Sequence, residues 1–397
     1  MGSPRSPAPV ATRERHGLVD ALRGFALLGI LVVNMEFIVQ DSDVGWSEYT
    51  GSADEVARWL IAALAQSKFY LLFSLLFGYG LAIQLRRATE RGSRLGGRYA
   101  RRMIGLAILG VGHALLFFVG DILVIYAMVG SLAYLFRHAA RRTLLKWAAI
   151  VYGAATAFWF AIAGLVALEP DDPPTASAEA ARVFSEGSFG EVVAQHASEW
   201  AVTLPVLIII QGPSAFALFL VGVVLGRGDL LVRPEAHRRT MLRTLAVAGP
   251  IGLAGGALSA TLLVGEPSGS GLFMLGFALQ FAFAPFLTAA YVALLALGLG
   301  ARPGRLARPM VAAGRMSLSV YLLESIVATT LAYGYGFGLF GEVGPWGGLA
   351  LSLAIWLGLS AFAALWLAWA RFGPFEWLLR SFSYARLQRL RAAPART

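Results

Sequence analysis

The chain has no cysteine and few charged residues, and each shortage excludes a class of protein. Without cysteine there is no disulfide, no thiolate metal site and no cysteine nucleophile. Charged residues make up 14% of the 397 residues, against about 25% in an average soluble domain. Lysine is nearly missing as well, since 31 of the 33 basic residues are arginine. These shortages exclude a soluble globular protein.

The sequence also lacks the short motifs of several enzyme and transporter classes. It has no P-loop, no HExxH metal motif and no Gly-x-Ser-x-Gly elbow. The sequence therefore lacks the residues that ATP-driven transport, zinc proteolysis and ordinary serine hydrolysis require. With no cysteine and no histidine-rich cluster, no metal site is expected. The arginines flank apolar segments instead of forming a patch on a soluble face, so nucleic-acid binding is not expected.

Apolar residues account for most of the chain. They make up 57% of it, and the mean hydropathy is +0.67. Apolar stretches recur along the whole length, and most of them are long enough to cross about 30 Å of hydrocarbon as helices. They are 18–39, 57–85, 103–119, 121–136, 144–168, 200–226, 243–264, 272–300, 309–333 and 346–370. We predict an all-α transmembrane bundle of about ten helices over 17–380, with a disordered tail at 1–16 and a basic tail at 381–397.

The distribution of charge predicts the orientation of these helices. With a cytoplasmic N-terminus, 28 of the 33 basic residues fall in cytoplasmic segments, while the outer connections carry Arg182 alone. The outer connections 40–54 and 169–199 are acidic, and we expect a short surface helix in the second. This asymmetry follows the positive-inside rule. It predicts a bacterial inner-membrane protein with both termini in the cytoplasm.

Ionisable residues within the predicted helices are costly in lipid and are therefore candidates for function. His113 interrupts an apolar run, with Asp121 at the following bend and Tyr126 beyond it. An imidazole exchanges protons near neutral pH, and a nearby carboxylate would fix its tautomer. The alternative is a structural histidine that a neighbouring helix satisfies.

The first helix carries Asp20, Arg23 and Asn34, and the last two lie on one face about 16 Å apart. Neutralisation of Arg23 by Asp20 is the simpler interpretation of the first pair. In the second helix, Lys68 precedes Tyr70 and either serves a site or extends to the membrane interface.

Two later helices also carry polar residues. Ser317, Tyr321 and Glu324 share one face of the ninth helix, with Arg315 at its cytoplasmic end. Serines in such helices more often serve interhelical packing, whereas a buried Glu324 needs a partner or a proton. The stretch 211–214 and Gln280 are compatible with a broken helix that lines a cavity.

Five motifs in order resemble the YeiB-like family of bacterial membrane proteins (DUF418), from about residue 16 to residue 380. They are LVDALRGFALLGILVVNM, SKFYLLFSLLFGYGLAIQ, GVGHALLFFVGDILVIYAMVG, AAGRMSLSVYLLESIV and RFGPFEWLLR. The family is similar in its first helix to transmembrane acyltransferases, which include polysaccharide O-acetyltransferases and the heparan glucosaminide N-acetyltransferase. The O-acetyltransferases place a catalytic histidine eleven residues after a basic one. Here that position is Asn34, so a catalytic base must come from elsewhere.

The resemblance implies an acyltransferase that uses cytoplasmic acyl-coenzyme A (acyl-CoA) and a hydroxyl or amine acceptor outside. Guanidinium groups suit the phosphates of coenzyme A, and the basic segment 86–102 is expected to contribute. The residues predicted to act are catalytic His113, Asp121 and Glu324, donor-binding Arg23, Arg101, Arg102 and Arg315, and substrate-binding Asn34, Lys68, Tyr70, Tyr126, Ser317 and Tyr321.

The alternative from another class is a proton-coupled transporter or a flippase of a small or lipid-linked substrate. In that case His113, Asp121 and Glu324 would relay protons, and helices interrupted by Gly and Pro would line the route. The expected partners are the lipid bilayer, a small-molecule, glycan or lipid-linked substrate, and a second copy of the chain in a homo-oligomer.

Overall fold

The computed structural model describes residues 17–40, 52–93, 95–168 and 178–391, and this part of the chain folds into helices. The predicted tail 1–16 and most of loop 40–54 lie outside the described residues, as do 169–177. The helices are α1 Gly17–Val39, α2 Ser52–Leu60, α3 Lys68–Glu90, α4 Gly96–Leu116, α5 Leu123–Leu135, α6 Arg141–Val166, α7 Ala178–Glu186, α8 Phe189–Arg227, α9 Arg238–Gly265, α10 Gly271–Leu299, α11 Arg308–Arg315, α12 Ser317–Ala332, α13 Pro345–Trp369 and α14 Pro374–Tyr384.

The protein is a helical membrane protein. By length and apolar composition, seven helical segments among the described residues are able to cross a membrane: α1, α2 with α3, α6, α8, α9, α10 and α13. The bent pair α11–α12 makes an eighth if it is one span. The predicted hairpin 103–119 and 121–136 corresponds to α4 and the shorter α5. Each predicted apolar stretch thus overlaps a helix, since helices satisfy their own backbone hydrogen bonds in lipid.

The bundle has two opposite faces. We call the face where α1 begins and α14 lies the terminal face, and the face where α1 ends and α7 lies the distal face. Helices α1 and α11 meet closely near the terminal face, because a Cβ atom at Gly314 would overlap the Asp20 carbonyl oxygen. A Cβ atom at Gly24 would likewise overlap the Met310 carbonyl oxygen. Small residues allow this approach, which brings the start of α1 beside Arg315.

The predicted helix 57–85 is not one continuous helix, which corrects the sequence analysis. Helix α2 continues into a π-helical segment, Ile61–Ala65, and the chain then breaks before α3. Ser67 has a φ of 68°, in the left-handed region. No proline or glycine marks this break, so the sequence pattern does not reveal it.

The predicted helix 309–333 is also divided, because α11 and α12 meet at an angle of 85°. The break lies at Met316, and α14 supports it. The Glu376 carboxylate of α14 accepts hydrogen bonds from the backbone N–H groups of Leu318 (2.7 Å) and Ser319 (3.1 Å). These are donors that the first turn of a helix leaves unpaired. A side chain from another helix thus caps α12.

Helix α8 is longer and more regular than predicted. It begins at Phe189 instead of residue 200, behind a capping box formed by Ser188 and Glu191. It continues through Pro205 and Pro213, so the suggested break at 211–214 is wrong. Loop 169–199 contains the expected short helix, α7, and also the first turns of α8.

The predicted tail 381–397 is structured as far as Arg391. Helix α14 extends to Tyr384, and the following residues fold back against the end of α13. The Arg371 N–H donates to the Leu390 carbonyl (2.8 Å), and the Trp377 indole donates to the Gln388 carbonyl (2.6 Å). Residues 392–397 lie outside the described part.

Candidate functional site

A cavity of about 340 Å³ lies at the terminal face, between α1, α3, α4, α5, α11, α12 and α14. Its wall carries seven arginines and only two carboxylates, so its charge is strongly positive. We call it the arginine cavity. The arginines are Arg23, Arg87, Arg91, Arg98, Arg102, Arg315 and Arg380, and the carboxylates are Asp20 and Glu376.

Both carboxylates are occupied within the protein. Asp20 accepts a hydrogen bond from Arg23 (3.0 Å), which confirms the ion pair that the sequence suggested as the simpler interpretation. Glu376 caps α12, as described above. Burial raises the pKa of the Glu376 carboxyl, and the hydrogen bonds from Ser319 and Leu318 oppose that rise. The cavity therefore keeps a surplus of positive charge, which favours an anionic ligand.

Aromatic rings and helix contacts position several of the arginines. The guanidinium carbon of Arg102 lies 5.4 Å from the centroid of the Phe77 ring, and that of Arg98 lies 5.1 Å from the Tyr384 ring. Such stacking holds the planar guanidinium while leaving its N–H groups for ligands. The Nε atoms of Arg102 and Arg315 are buried and make no hydrogen bond. The cavity thus contains buried donors without acceptors.

The inner end of the arginine cavity is apolar and aromatic. Ile30, Phe73 and Leu123 line it, together with Tyr126 and Tyr321. The cavity therefore changes from cationic to apolar with depth. A ligand with an anionic head and a less polar tail matches this order.

The His113 Nδ1 and Asp121 Oδ2 atoms lie 2.8 Å apart, so the structure brings the predicted pair together. The other carboxylate oxygen, Oδ1, accepts from the Val124 N–H (3.1 Å) at the start of α5. Both side chains are buried, and His113 Nε2 has no hydrogen-bond partner. Asp121 is thus able to fix the tautomer and orientation of the imidazole.

Tyr321 connects this pair to the arginine cavity. Its ring lies 5.1 Å from the His113 ring, and its hydroxyl lies 3.4 Å from Asp121 Oδ2. Tyr321 lines the cavity, whereas His113 and Asp121 do not. The histidine therefore lies behind the tyrosine, one side chain away from the space that a ligand would occupy.

The other predicted site residues on α1, α4 and α12 have different positions. Ser317 lines the arginine cavity, but Glu324 on the same helix does not. Glu324 is buried, and neither of its carboxylate oxygens accepts a hydrogen bond. Arg101 lies outside the cavity, where its Nε donates to the Ser383 carbonyl (2.9 Å). Asn34 is half-buried on α1 and lines neither this cavity nor the second one described below.

Lys68 belongs to a separate buried cluster and does not extend to the membrane interface. Its Nζ donates to the Ala62 carbonyl (2.8 Å) and to Gln280 Oε1 (3.2 Å). The first bond crosses the break between the π-helical segment and α3, so Lys68 stabilises that break.

Tyr70 and Tyr126 lie together between the break and the arginine cavity. The Tyr126 hydroxyl donates to the Tyr70 carbonyl (2.8 Å), and the Tyr70 hydroxyl is 2.9 Å from Ser214 Oγ. Tyr126 lines the cavity, whereas Tyr70 does not.

A second cavity, of about 280 Å³, lies at the distal face, and the sequence analysis did not foresee it. Its wall includes His196 of α8, which is as deeply buried as His113. His196 lies against the Leu115 carbonyl and within electrostatic range of His113. Only the tertiary fold reveals this histidine, because its sequence position places it in a predicted surface loop.

Comparison with known proteins assigns this chain to a family. The family model described as a protein of unknown function, DUF418, matches residues 225–386. The uncharacterized protein YxaH of Bacillus subtilis (strain 168) is 32% identical over 406 residues, covering 95% of this chain and 96% of YxaH. YeiB of Escherichia coli (strain K12) is 30% identical over 386 residues, covering 93% and 96%.

This chain belongs to the YeiB-like DUF418 family. The resemblance seen in five sequence motifs is thus confirmed. The DUF418 match extends from the end of α8 to the end of α14. It therefore includes Arg315, Tyr321 and Arg380, three residues in the wall of the arginine cavity.

Among the described residues, no group of three or more His, Asp or Glu side chains is arranged to hold a metal ion.

Proposed function

We propose that this DUF418 protein is a membrane-embedded acyltransferase. It takes an acyl group from acyl-CoA at the terminal face and transfers it to a hydroxyl or amine acceptor at the distal face. The observation that supports this most is the arginine cavity, whose apolar end reaches Tyr321 in front of the His113–Asp121 pair. The terminal face then lies in the cytoplasm, where acyl-CoA is found, and the membrane is the bacterial inner membrane.

The charge pattern of the cavity suits the donor. Coenzyme A carries several phosphates, and each forms charge-assisted hydrogen bonds with guanidinium groups. The unpartnered Nε donors of Arg102 and Arg315 are natural partners for such oxygens. The pantetheine arm and the thioester would extend toward the apolar end at Tyr321.

In the proposed reaction, the acceptor oxygen or nitrogen attacks the thioester carbonyl carbon. The carbon–sulfur bond breaks, the acyl group remains on the acceptor, and the coenzyme leaves as a thiol. The acceptor proton passes through His113, whose Nε2 has no partner, to the departing sulfur. Asp121 holds the imidazole and stabilises its protonated form. Tyr321 must shift or take part in the proton path, because it lies between the cavity and His113.

Donor binding is tested with two adjacent arginines of α3. Arg87 lines the arginine cavity, whereas Arg86 lies outside it and pairs with Glu90 at the surface (3.7 Å). We expect Arg87→Gln to weaken acetyl-CoA binding by about 1.5–3 kcal/mol, the contribution of one charge-assisted hydrogen bond. Arg86→Gln should have little effect. Calorimetry on the purified protein measures both, and no binding of coenzyme A or acetyl-CoA to the unmutated protein would contradict the proposal.

The chemical step is tested at His113. If it is the general base, His113→Gln should retain acetyl-CoA binding and lower turnover by about 10²–10⁴-fold. If His113 is a structural residue, the same change should lower the melting temperature and leave turnover per folded molecule unchanged. Both quantities are measured on one sample.

A proton-coupled transporter is the second candidate, and two observations favour it. The break before α3 and the buried, unpaired Glu324 are features that transporters use for ion and substrate coupling. Proteoliposomes that accumulate substrate under a proton gradient without acyl donor would support this function. Loss of that transport in Glu324→Gln would assign the proton to Glu324.

A further inference from the structure

The distal cavity has an unusual lining of aromatic rings and one carboxylate. Phe184 is central to it, with its ring centroid 4.9 Å from Tyr333, 5.6 Å from Phe340 and 5.5 Å from His196. Glu199, one turn after His196 on α8, supplies the negative charge. Among the described residues, no lysine or arginine lines this cavity. Aromatic faces together with a carboxylate attract organic cations.

Two buried polar atoms in the wall make no hydrogen bond within the part of the chain that the structure describes. They are His196 Nδ1 and Gln40 Nε2. The Leu115 carbonyl lies near the His196 ring. A neutral imidazole has one donor and one acceptor nitrogen, and Nδ1 is the acceptor when the proton is on Nε2. Buried polar groups are normally paired, so unpaired ones in a cavity wall indicate a ligand.

The chemistry of the wall specifies the class of that ligand. The Glu199 carboxylate accepts a hydrogen bond from Gln195 Nε2 (2.8 Å) and also supplies negative charge to the cavity. With the proton on Nε2, His196 Nδ1 is an acceptor, and an ammonium group provides several N–H donors. Gln40 Nε2 is a donor and requires an acceptor on the ligand, such as a hydroxyl oxygen. A small ammonium compound that carries an oxygen pairs with both unpartnered atoms and places its positive charge beside Glu199.

We propose that the distal cavity binds a small organic ammonium ligand, held by Glu199, His196 and the surrounding aromatic rings. This inference rests on the proposed function in one respect, since it makes the ligand the acyl acceptor through its hydroxyl oxygen, because an ammonium nitrogen has no lone pair for the attack. The binding itself does not require acyl transfer. Ligand binding in the distal cavity is therefore tested separately from donor binding in the arginine cavity.

The test uses ethanolamine and its uncharged counterpart ethylene glycol, added to the purified full-length protein without acyl donor. We expect ethanolamine to bind at least about tenfold more tightly by calorimetry, because only it forms charge-assisted hydrogen bonds. Glu199→Gln should remove most of this difference. The matched control is Glu186→Gln, an exposed residue of α7 outside the cavity wall, which should preserve it.

A second variant keeps the proposal testable if Glu199→Gln fails to fold. Phe184→Leu retains an apolar wall but removes the central aromatic face, so it should weaken ethanolamine binding and leave ethylene glycol binding unchanged. Equal affinities for the two probes in the unmutated protein, or no binding of either, would overturn the ammonium site. Acetyl-CoA binding on the same samples shows separately whether the donor site is intact.

Discussion

Gly110 determines how closely Asp121 approaches helix α4. A Cβ atom at this position would lie 2.6 Å from Asp121 Oδ1 and 2.8 Å from the Val124 nitrogen. Cβ contacts under 3.0 Å are essentially never observed. The absence of a side chain on α4 is therefore what allows the carboxylate to reach His113, one turn further along the helix.

Gly110→Ala should displace Asp121 from His113 and lower both stability and turnover. Overpacking of this kind costs about 1–3 kcal/mol of unfolding free energy, and a misoriented imidazole is a weaker base. Thermal unfolding and acyl-transfer assays measure the two effects, while acetyl-CoA binding should be retained.

Gly112 on the same helix provides the control, because a Cβ atom there meets nothing within 4 Å. Gly112→Ala should stabilise the protein by up to about 1 kcal/mol, since alanine loses less backbone entropy than glycine. If the two substitutions have the same effect, Gly110 has no role in placing Asp121.

At the scale of elements, α14 connects the arginine cavity to the bend between α11 and α12. Its Glu376 caps the first turn of α12, and Ser319 Oγ donates to the same carboxylate. The same helix contributes Arg380 to the cavity wall. The position of α12, and with it Tyr321, therefore depends on a side chain far away in sequence.

Glu376→Ala should destabilise the protein by about 0.5–2 kcal/mol, the usual cost of losing a helix cap. Glu376→Gln retains one carbonyl acceptor and should cost less. Thermal unfolding gives both values. The exposed Glu90, which pairs only with Arg86 among the ion pairs observed, is the control, and Glu90→Gln should change stability by less than about 0.5 kcal/mol. An equally small effect of Glu376→Ala would contradict the cap.

The sequence predicts the positions of the helices well, but it does not predict the breaks between them. The length of each apolar stretch predicts where a helix lies, because the thickness of the bilayer sets how many apolar residues a spanning helix needs. No proline or glycine lies near the break at Ser67, and Gly314 before the break at Met316 is inside a helix, like many other glycines of this chain. Both breaks depend on Lys68 and Glu376 contacts with residues outside their own helices. Conversely, Pro213 suggested a break, but α8 continues through it.

The candidate site was predictable only in part, because some of its residues are brought there by packing between helices that are distant in sequence. Buried ionisable residues are conspicuous in apolar runs, which identified His113 and its partner Asp121. Arg380 ends one of the five motifs but was given no role, and His196 lies in a predicted surface loop, so their positions in the cavity walls depend on how α14 and α8 pack. Spacing along one helix also misleads, since Glu324 shares a face with Tyr321 but does not reach the cavity.

At the scale of the whole molecule, the two cavities have opposite chemistry. The terminal-face cavity carries seven arginines, while the distal cavity carries one carboxylate and, in the described part of the chain, no lysine or arginine. His113 lies within electrostatic range of His196 on one side and contacts Tyr321 on the other. An anionic donor and a cationic acceptor would thus approach one buried histidine from opposite faces.

This arrangement requires the terminal face to be cytoplasmic, and single cysteines test that orientation because the chain has none of its own. Gly190 at the distal face and Gly304 at the terminal face are both exposed, and a Cβ atom at either meets nothing within 4 Å. An impermeant thiol reagent should label Gly190→Cys in intact cells, and Gly304→Cys only after permeabilisation. Labelling in the reverse order would place the arginine cavity outside the cell. Cytoplasmic acyl-CoA would then have no access to it, and the transfer reaction proposed here would be excluded.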